Sequence, residues 1–486
     1  MEPLESLPRG GGFLYEAVAE KVSRLVEAGT FRPGQRIPSV RGLGRQLGVS
    51  LSTVLEAYAL LEDRGIVEAR PQSGYYVRGR PLRRPPEPEI SAPAMRPTGV
   101  SVAELVMMVL RDAGNPDLLQ LGAAIPSPDL LPIDKLNRAL GAAARRHRIA
   151  SVSYEMPPGS RALRVQVARR ALEAGCAVSP EEVVITSGCQ EAITLALRAL
   201  CEPGDTVAVE SPTYYNFLQA AEVLGLKVLE IPTHPRDGLS IEALSFALDH
   251  SPVRACVAMP NFNNPLGALM PDERKCELVA LLARRGIPLI EDDIHGELSH
   301  SGERPRAAKA FDREGLVVLC SSVSKTLAPG YRVGWTLAGR FQKRIEHLKA
   351  VSNLATPTLP QLAVAEFLAN GGYDRHLRRV RRVYARRMAS MADAVARHFP
   401  PGTRLTRPAG AFALWVELPP GTDALVLYEK ALAAGITVAP GPIFSPTQRY
   451  RNFLRLNAGY WIEGMEGAVE TLGRLARECV EGRAAV

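Results

Sequence analysis

The spacing of hydrophobic residues divides this chain of 486 residues into two regions with different periods. Between residues 13 and 65, apolar positions recur every three or four residues in three short runs, which predicts three helices. A turn at Pro33-Gly34 follows the first run, and Ser39 and Ser50 stand where they can cap the second and third helices.

Two strand-like pieces, 66–69 and 75–77, come directly after the third helix. Pro71 and Gly74 join them as a hairpin. Three short helices with a tight glycine turn between the last two, followed by a hairpin, are typical of a winged helix-turn-helix. The alternative is a small helical domain that binds another protein.

In a winged helix-turn-helix, the third helix enters the major groove of duplex DNA. Ser52 and Thr53 lie in its first turn, where they can reach base edges. Arg41, in the first turn of the second helix, and Arg70, in the wing, are placed to contact phosphates. We therefore predict a DNA-binding domain over residues 8–80.

From residue 101 onward, short β-branched runs alternate with helical segments. This alternation predicts an α/β fold with a mostly parallel, doubly wound sheet whose loops gather at the strand ends. We predict one domain over residues 101–486, with a smaller α+β region from about residue 375. The predicted strands are 183–186, 207–210, 253–259, 288–291, 316–319 and 333–338, with 412–418 and 453–457 in the smaller region.

Residues 81–100 lie between the two regions and are rich in proline and arginine. They show no periodicity and favour extended conformations, so we predict a linker. At ~3 Å per residue, such a segment reaches up to about 60 Å.

Composition and charge narrow the class of protein. The formal net charge is +8, but residues 1–80 hold eleven Lys and Arg against nine Asp and Glu, so any DNA contact depends on where single arginines lie. No apolar run reaches transmembrane length, and the first ten residues lack the order of a signal peptide. The seven cysteines and eight histidines are scattered, which predicts reduced thiols, a cytoplasmic protein and no metal site.

The apolar run 316–319 leads into a serine-rich loop that contains one lysine, Lys325. Ser322, Ser324 and Arg332 flank it and offer two hydroxyl groups and a guanidinium to a phosphate. Lysine also forms Schiff bases with aldehydes. A phosphorylated aldehyde such as pyridoxal 5'-phosphate satisfies both halves of this site, whereas a solvated lysine on a surface loop is the alternative.

Four other loops carry groups that suit the same cofactor. The turn at residues 187–190 offers backbone N–H groups to a phosphate at a helix N-terminus. Tyr214 can stack on a pyridine ring or fill the core, and Asn264 can bond a phenolic oxygen or form an ordinary turn. Asp292, at the end of a buried strand, requires a partner such as a pyridinium N–H.

The order of these motifs resembles the fold-type-I, class I/II aminotransferase family over roughly residues 120–480. The resemblance implies that Lys325 is the Schiff-base lysine and Asp292 the partner of the pyridinium nitrogen. It also implies that Arg455, in FLRLNAGY, binds the α-carboxylate of a substrate or effector. The implied cofactor-binding residues are Lys325, Asp292, Asn264, Tyr214, Ser187, Gly188, Cys189, Gln190, Ser322, Ser324, Arg332, His295 and Tyr154.

Three positions qualify the resemblance. Tyr154, in YEMPPGSRALR, resembles the tyrosine that reaches the phosphate of a neighbouring subunit, which implies a homodimer. His295 stands where the family usually has a tyrosine bonded to the ring hydroxyl. Imidazole can donate the same bond, but it titrates near neutrality. Residues 38–70, read with the lead-in FRPGQRI at residues 31–37, resemble the GntR family of bacterial regulators, although Leu51 occupies a place often held by arginine.

A GntR-like domain joined to an aminotransferase-like domain resembles the MocR subfamily of pyridoxal-phosphate-dependent transcriptional regulators. The resemblance implies a regulator that binds a double-stranded DNA operator and senses an amino acid or amine through aldimine exchange at Lys325. A working aminotransferase with an accessory DNA-binding domain, and a regulator that senses pyridoxal phosphate itself, are the alternatives. The sequence leaves open the effector, the operator, the half-site spacing and whether regulation is positive or negative.

The stretch 375–387 holds seven arginines in thirteen residues. A solvated helix face accounts for such a run. The alternative is a surface that extends the contact with DNA.

Overall fold

The computed structural model divides the chain into two compact units, residues 1–84 and 85–486. The described residues are 14–32, 34–70, 73–77 and 85–484. Pro33 and Pro71, named above for a turn and a hairpin, lie outside the described residues. So do residues 8–13 and 78–80 of the predicted DNA-binding domain and residues 81–84 of the predicted linker.

The first unit contains three helices and a two-stranded antiparallel hairpin. Both helix caps form as predicted, since the hydroxyl oxygen of Ser39 accepts from the Gly42 N–H at 3.1 Å and that of Ser50 from the Thr53 N–H at 3.1 Å. The winged helix-turn-helix is therefore confirmed. Its elements are α1 (Leu14–Glu27), α2 (Val40–Leu47), α3 (Leu51–Asp63), β1 (Val67–Arg70) and β2 (Gly74–Val77).

The core of the first unit lies between its three helices and the hairpin. Its fully buried residues include Val18 of α1 and both Val54 and Leu61 of α3. Tyr58 is also buried, and its hydroxyl group donates to the carbonyl oxygen of Pro38 at 2.6 Å. This bond ties α3 to the start of α2, so it fixes the angle between the two helices of the motif.

The second unit is built on an eight-stranded mixed sheet. Four neighbouring pairs of strands are parallel, and one edge strand and one inner strand run antiparallel. The predicted mostly parallel sheet is therefore confirmed. In chain order its strands are β4 (Val183–Thr186), β5 (Thr206–Ser211), β6 (Lys227–His234), β7 (Gly238–Leu239), β8 (Val253–Ala258), β9 (Leu289–Asp292), β10 (Val317–Ser322) and β11 (Gly334–Leu337), arranged in the order β4-β11-β10-β9-β8-β5-β6-β7.

Helices cover both faces of this sheet, and no helix of the described residues is long and apolar enough to cross a membrane. The helices of the second unit, including those of its smaller region, are α4 (Ala103–Ala113), α5 (Ile133–Arg146), α6 (Arg161–Glu173), α7 (Cys189–Leu200), α8 (Tyr215–Val223), α9 (Ile241–His250), α10 (Asp272–Arg284), α11 (Gln342–Asn353), α12 (Thr358–Ala369), α13 (Gly372–His398), α14 (Ala424–Ala433) and α15 (Met465–Ala484).

A smaller region follows α13 and contains a four-stranded antiparallel sheet in the order β12-β13-β16-β15. A short parallel pair, β3 with β14, joins it to the segment before α5. The strands are β3 (Leu119–Gln120), β12 (Arg404–Leu405), β13 (Ala413–Glu417), β14 (Ile436–Thr437), β15 (Ala439–Pro440) and β16 (Phe453–Asn457).

Residues 85–98 differ from the predicted free linker, because they run extended along the second unit and bond to it. The Ser91 hydroxyl donates to the carbonyl oxygen of Ser211, at the end of β5, at 2.5 Å. Glu89 forms a 3.0 Å ion pair with Arg404 of β12. A proline-rich segment has few N–H groups to satisfy, so its carbonyls and carboxylates can bind a surface without forming a sheet.

Candidate functional site

The loops at the carboxyl ends of several strands meet around one cavity of about 190 Å³. Parallel strands that end at the same edge bring these loops together. Nine residues that the sequence singled out line this cavity: Cys189, Gln190, Tyr214, Asn264, Asp292, His295, Ser324, Lys325 and Arg332. Ser187, Gly188, Ser322, Tyr154 and Arg455 do not line it.

Lys325 follows β10, and its ammonium group donates to the carbonyl oxygen of Ala124 at 2.6 Å. Removal from water and the positive charge of Arg455 together lower the pKa of Lys325 to about 8, against the opposing effect of Asp292. An appreciable share of the amine is therefore neutral at physiological pH, as a nucleophile must be.

Asp292 ends β9 and is almost fully buried. Burial raises its pKa to about 7, although the Ile294 N–H at 3.0 Å and the Cys189 thiol at 3.4 Å both donate to its carboxylate. The neighbouring Asp293 forms an ion pair with Arg304. Asp292 thus forms no ion pair with any residue that the structure describes, so its buried carboxylate is able to accept a positively charged N–H.

The turn before α7 forms a close-packed frame with Arg332. Gly188 has φ +87°, and a Cβ atom there would clash with the guanidinium of Arg332. The Arg332 guanidinium in turn donates to the carbonyl oxygen of Ser187 at 3.0 Å. The Ser187 N–H donates to the Glu191 carboxylate at 2.6 Å, so it is not free for a phosphate. Of the predicted phosphate-side groups, Arg332, Ser324 and the N-terminus of α7 lie at the cavity.

Tyr214 and Asn264 lie in the cavity wall with their polar atoms partly used. The Asn216 side-chain amide donates to the Tyr214 hydroxyl oxygen at 2.9 Å, which fixes the ring. The carboxamide oxygen of Asn264 accepts from the Arg455 guanidinium at 2.9 Å. The Asn264 amide nitrogen therefore remains the donor that can face a phenolic oxygen.

His295 corrects one expectation from the sequence. Its Nδ1 lies 3.0 Å from the carbonyl oxygen of Phe262, which only accepts, so Nδ1 carries the proton. Burial and the positive charge of Lys325 lower the pKa of His295 to about 3. The expected titration near neutrality is wrong. Nε2, which has no hydrogen-bond partner among the described residues, is an acceptor in this tautomer and does not donate as expected.

Arg455 lies on β16 and is fully buried behind the cavity. Its guanidinium donates to the carbonyl oxygen of Gly122 at 2.8 Å and to Asn264, and it lies over the rings of Tyr215 and Phe444. Its Nε has no partner among the described residues. Each of the two terminal nitrogens thus donates one hydrogen bond within the protein, which the sequence did not indicate.

Tyr154 is 78% exposed and lies on an exposed segment with Ile149, Val152 and Met156. Most of the Tyr154 side chain is therefore accessible to solvent in its own chain. Its role at the phosphate of a neighbouring subunit stays a prediction.

Several lining residues escaped the sequence reasoning. They are Ile193, Asn216, Met259 and Ile294. The contact of Lys325 with Ala124 was also missed, since the two residues are 201 positions apart and no spacing rule connects them. Asn216 carried a usable signal, because it is a polar residue two positions after Tyr214, which the sequence had already assigned to the cofactor.

The first unit places the predicted DNA contacts on its surface. Arg41 and Ser52 are exposed, and Thr53 is half-buried with its hydroxyl 2.8 Å from that of Ser50. Arg70 forms an ion pair with Glu68 at 2.8 Å and lies over the Tyr76 ring. A phosphate must compete with Glu68 for Arg70, whereas Arg41 has no such competitor among the described residues.

Two protein families match this chain. The family described as aminotransferase class I and II matches residues 130–472, and the gntR family of bacterial regulatory proteins matches residues 14–77. These matches agree with the fold of the second and first units respectively.

Relatives match the chain over nearly its whole length. YjiR and YdcR, two uncharacterized HTH-type transcriptional regulators of Escherichia coli (strain K12), are 38% and 40% identical, each across 96% of this chain and 99% of its own. Among solved structures, LysN, an alpha-aminoadipate aminotransferase from Thermus thermophilus, is similar with a TM-score of 0.72. It is 30% identical and covers 77% of this chain and 95% of its own.

Proposed function

The chain belongs to the MocR-type regulators, which join a GntR helix-turn-helix domain to a class I and II aminotransferase domain, and from this premise we propose that it senses an amino acid or amine at Lys325. It is a transcriptional regulator whose second domain belongs to a family of pyridoxal-phosphate-dependent proteins. In the proposal, the amine takes the place of Lys325 at the cofactor and thereby changes the binding of a DNA operator in the cytoplasm.

The observation that carries the proposal is the convergence of Lys325, Asp292, Asn264 and Arg332 on one cavity. Lys325 would hold the aldehyde carbon of pyridoxal phosphate, Asp292 the ring nitrogen, Asn264 the ring hydroxyl and Arg332 the phosphate. When bound, the cofactor supplies an electrophilic carbon for amines and an electron-withdrawing ring. The buried carboxylate of Asp292, which forms no ion pair among the described residues, and the partly neutral amine of Lys325 both fit this group.

The carboxylate of an amino acid is proposed to bind Arg455. That guanidinium now donates to Gly122 and Asn264, so an incoming carboxylate must replace or join those acceptors. Gly122 belongs to the segment that also supplies the acceptor of Lys325, at Ala124. Cofactor capture by Lys325 would end its bond to Ala124, and an effector carboxylate that replaces Gly122 at Arg455 would end a second contact of the same segment, which favours a different arrangement of it.

The proposal includes a homodimer. Support comes from the exposed apolar side chains Ile149, Val152 and Met156 around Tyr154. Grouped exposed apolar residues are typical of a protein–protein interface. In such a dimer, Tyr154 of each subunit would complete the phosphate site of the other.

A working aminotransferase is the second candidate, favoured because Lys325, Asp292, Asn264 and Arg455 are all present with the charges that such chemistry uses. Incubation with a panel of amino acids and α-keto acids separates the two. Multiple turnovers would support the enzyme, and a single exchange without turnover would support the sensor. A response of DNA affinity to pyridoxal phosphate alone would favour a sensor of the cofactor itself.

The decisive experiment measures DNA affinity with and without an active amino acid in wild type, Lys325→Ala and Arg455→Ala. Lys343→Ala, an exposed lysine on α11, is the matched control. Both site variants should bind DNA yet lose the effect of the amino acid, whereas the control should respond like wild type. Allosteric effects of this kind are typically ~5–150-fold in affinity. If either site variant responds fully, sensing at Lys325 is wrong.

A chemical test locates the cofactor. Reduction of the cofactor-loaded protein with borohydride, followed by peptide mapping, should place the label on Lys325. A label on any other lysine, or none after pyridoxal phosphate is added, contradicts the site.

A further inference from the structure

The positive charge of the second unit is concentrated in one helix, α13. This helix carries eight arginines and two aspartates, a net charge of +6. The whole chain has 59 basic and 51 acidic residues; without the eleven basic and nine acidic residues of positions 1–80 and without Arg83 and Arg84, the second unit holds 46 against 42, a net charge of +4. The rest of this unit therefore has a net charge of −2, and α13 holds its entire surplus.

Two of these arginines have roles inside the fold. Arg381 is buried and donates to the carbonyl oxygens of Glu297 and Gly302 at 2.6 and 2.7 Å. Arg387 forms a 2.6 Å ion pair with Asp129. These two side chains attach α13 to its neighbours, so they account for the structural need for arginine in this helix.

The arginines that remain in the central part of the helix form one exposed stripe. They are spaced three or four residues apart, which places them on one face of an α-helix. None of them forms an ion pair with a carboxylate of the described residues. We name this surface the arginine face; it consists of Arg375, Arg378, Arg379, Arg382 and Arg386.

The chemistry of the arginine face fits a polyanion with regularly spaced charges. Unpaired like charges at i and i+4 destabilise a helix, so the stripe is unfavourable in the isolated protein. From Arg375 to Arg386 the helix rises about 16 Å, roughly half of a turn of duplex DNA. Guanidinium groups bind phosphates bidentately.

The face does not resemble a protein-binding surface. No large apolar side chain of α13 is among the exposed hydrophobic residues. Protein interfaces place aromatic and apolar side chains at their centre and charges at the rim. A face of arginines alone is instead typical of contact with a nucleic-acid backbone.

We propose that the arginine face of α13 is a second DNA contact, on the aminotransferase-type unit, that binds the phosphate backbone of duplex DNA without reading its sequence. The proposal rests on the proposed function, in which the first unit binds an operator. DNA that is long enough to reach both surfaces is held by the two units of one chain, whereas a short operator contacts the first unit alone.

The test compares two variants of the full-length, cofactor-loaded protein that change the net charge equally. The first is Arg378→Gln/Arg382→Gln/Arg386→Gln, on the arginine face. The control is Arg274→Gln/Arg344→Gln/Arg474→Gln, at three surface arginines that each pair with a carboxylate. The probes are random-sequence duplexes of two lengths, one short and one several helical turns long, titrated at a series of salt concentrations.

The variant of the arginine face should bind the long duplex about tenfold or more weakly, with the slope of log affinity against log salt reduced by about 2–3 for three lost phosphate contacts. The control should stay within about twofold of wild type, because bulk charge alone changes little. An unchanged salt slope for the arginine-face variant overturns the proposal. So does equal weakening in both variants, which would mean that net charge alone acts.

Two further outcomes separate related explanations. If wild type binds neither duplex, the proposed DNA-binding function itself fails, and not only this surface. Polyglutamate, a polyanion without phosphates, serves as a second probe. If the arginine-face variant loses binding to polyglutamate but not to the long duplex, the face binds acidic protein and the proposal is wrong.

Discussion

Replacement of Arg455 should change how readily Lys325 captures pyridoxal phosphate. Its positive charge is, after burial, the second cause that lowers the pKa of Lys325. Arg455→Gln removes the charge and should raise that pKa. Arg455→Lys keeps the charge but loses the fork that bonds Gly122 and Asn264, so it controls for the lost contacts.

The magnitude follows from the fraction of neutral amine. With a pKa of about 8, roughly 9% of Lys325 is neutral at pH 7, compared with about 0.03% for an ordinary lysine. The capture rate of wild type should therefore rise about tenfold per pH unit up to about pH 8 and then level off. For each unit by which Arg455→Gln raises the pKa, capture at pH 7 slows by about tenfold.

The assay is stopped-flow absorbance of cofactor binding between pH 6 and pH 10.5. The midpoint of the rate should shift upward in Arg455→Gln and stay near that of wild type in Arg455→Lys. All three proteins should converge at the highest pH, where the amine is neutral in each. A wild-type midpoint near 10.5, or the same midpoint in Arg455→Gln, would refute the electrostatic argument.

Three other predictions concern single groups. His295→Tyr replaces an acceptor at the cavity with a hydroxyl donor, so the absorption spectrum of the bound cofactor should shift toward the ring-phenolate form; an unchanged spectrum means that His295 does not face the ring hydroxyl. Arg41→Ala should weaken binding to all duplexes and lower the salt slope by about 1, whereas Thr53→Ala should narrow only the gap between specific and random DNA. Tyr58→Phe leaves the Pro38 carbonyl without its partner and should lower the free energy of unfolding by about 1 kcal/mol in denaturant titrations, with a loss below about 0.3 kcal/mol as the contrary result.

The sequence predicted the sheet well because its strands are short apolar runs that are followed by residues with charged or reactive side chains. Asp292 and Lys325 were both placed by this rule. β6 was missed because it contains Glu230 and Pro232, which break the apolar run. The structure resolves the conflict: the buried Glu230 carboxylate accepts from the Ser211 hydroxyl at 2.7 Å, so its burial is compensated.

The parts of the site that the sequence could not supply depend on contacts between distant positions. Arg455 meets Gly122 and Asn264, which are 333 and 191 positions away. The acceptor role of His295 depends on the Phe262 carbonyl and on the charge of Lys325. The residue type identifies Arg455 and His295 as candidates, but which of their N–H groups already form hydrogen bonds depends on the folded structure.

Because residues 85–98 are bound to the second unit, they do not add to the length of chain that connects the two units. β2 ends at Val77, and the Pro86 carbonyl already accepts from the Leu405 N–H at 3.0 Å. The eight steps from Val77 to Pro85 extend to at most about 29 Å, half the reach of a free linker. In the proposed homodimer, the separation of two half-sites on an operator would then depend on the distance between the two points at which the DNA-binding units are attached. Flexible residues inserted near position 80 would widen that separation. The same insertion near position 95 would have to break the Ser91 and Glu89 contacts first.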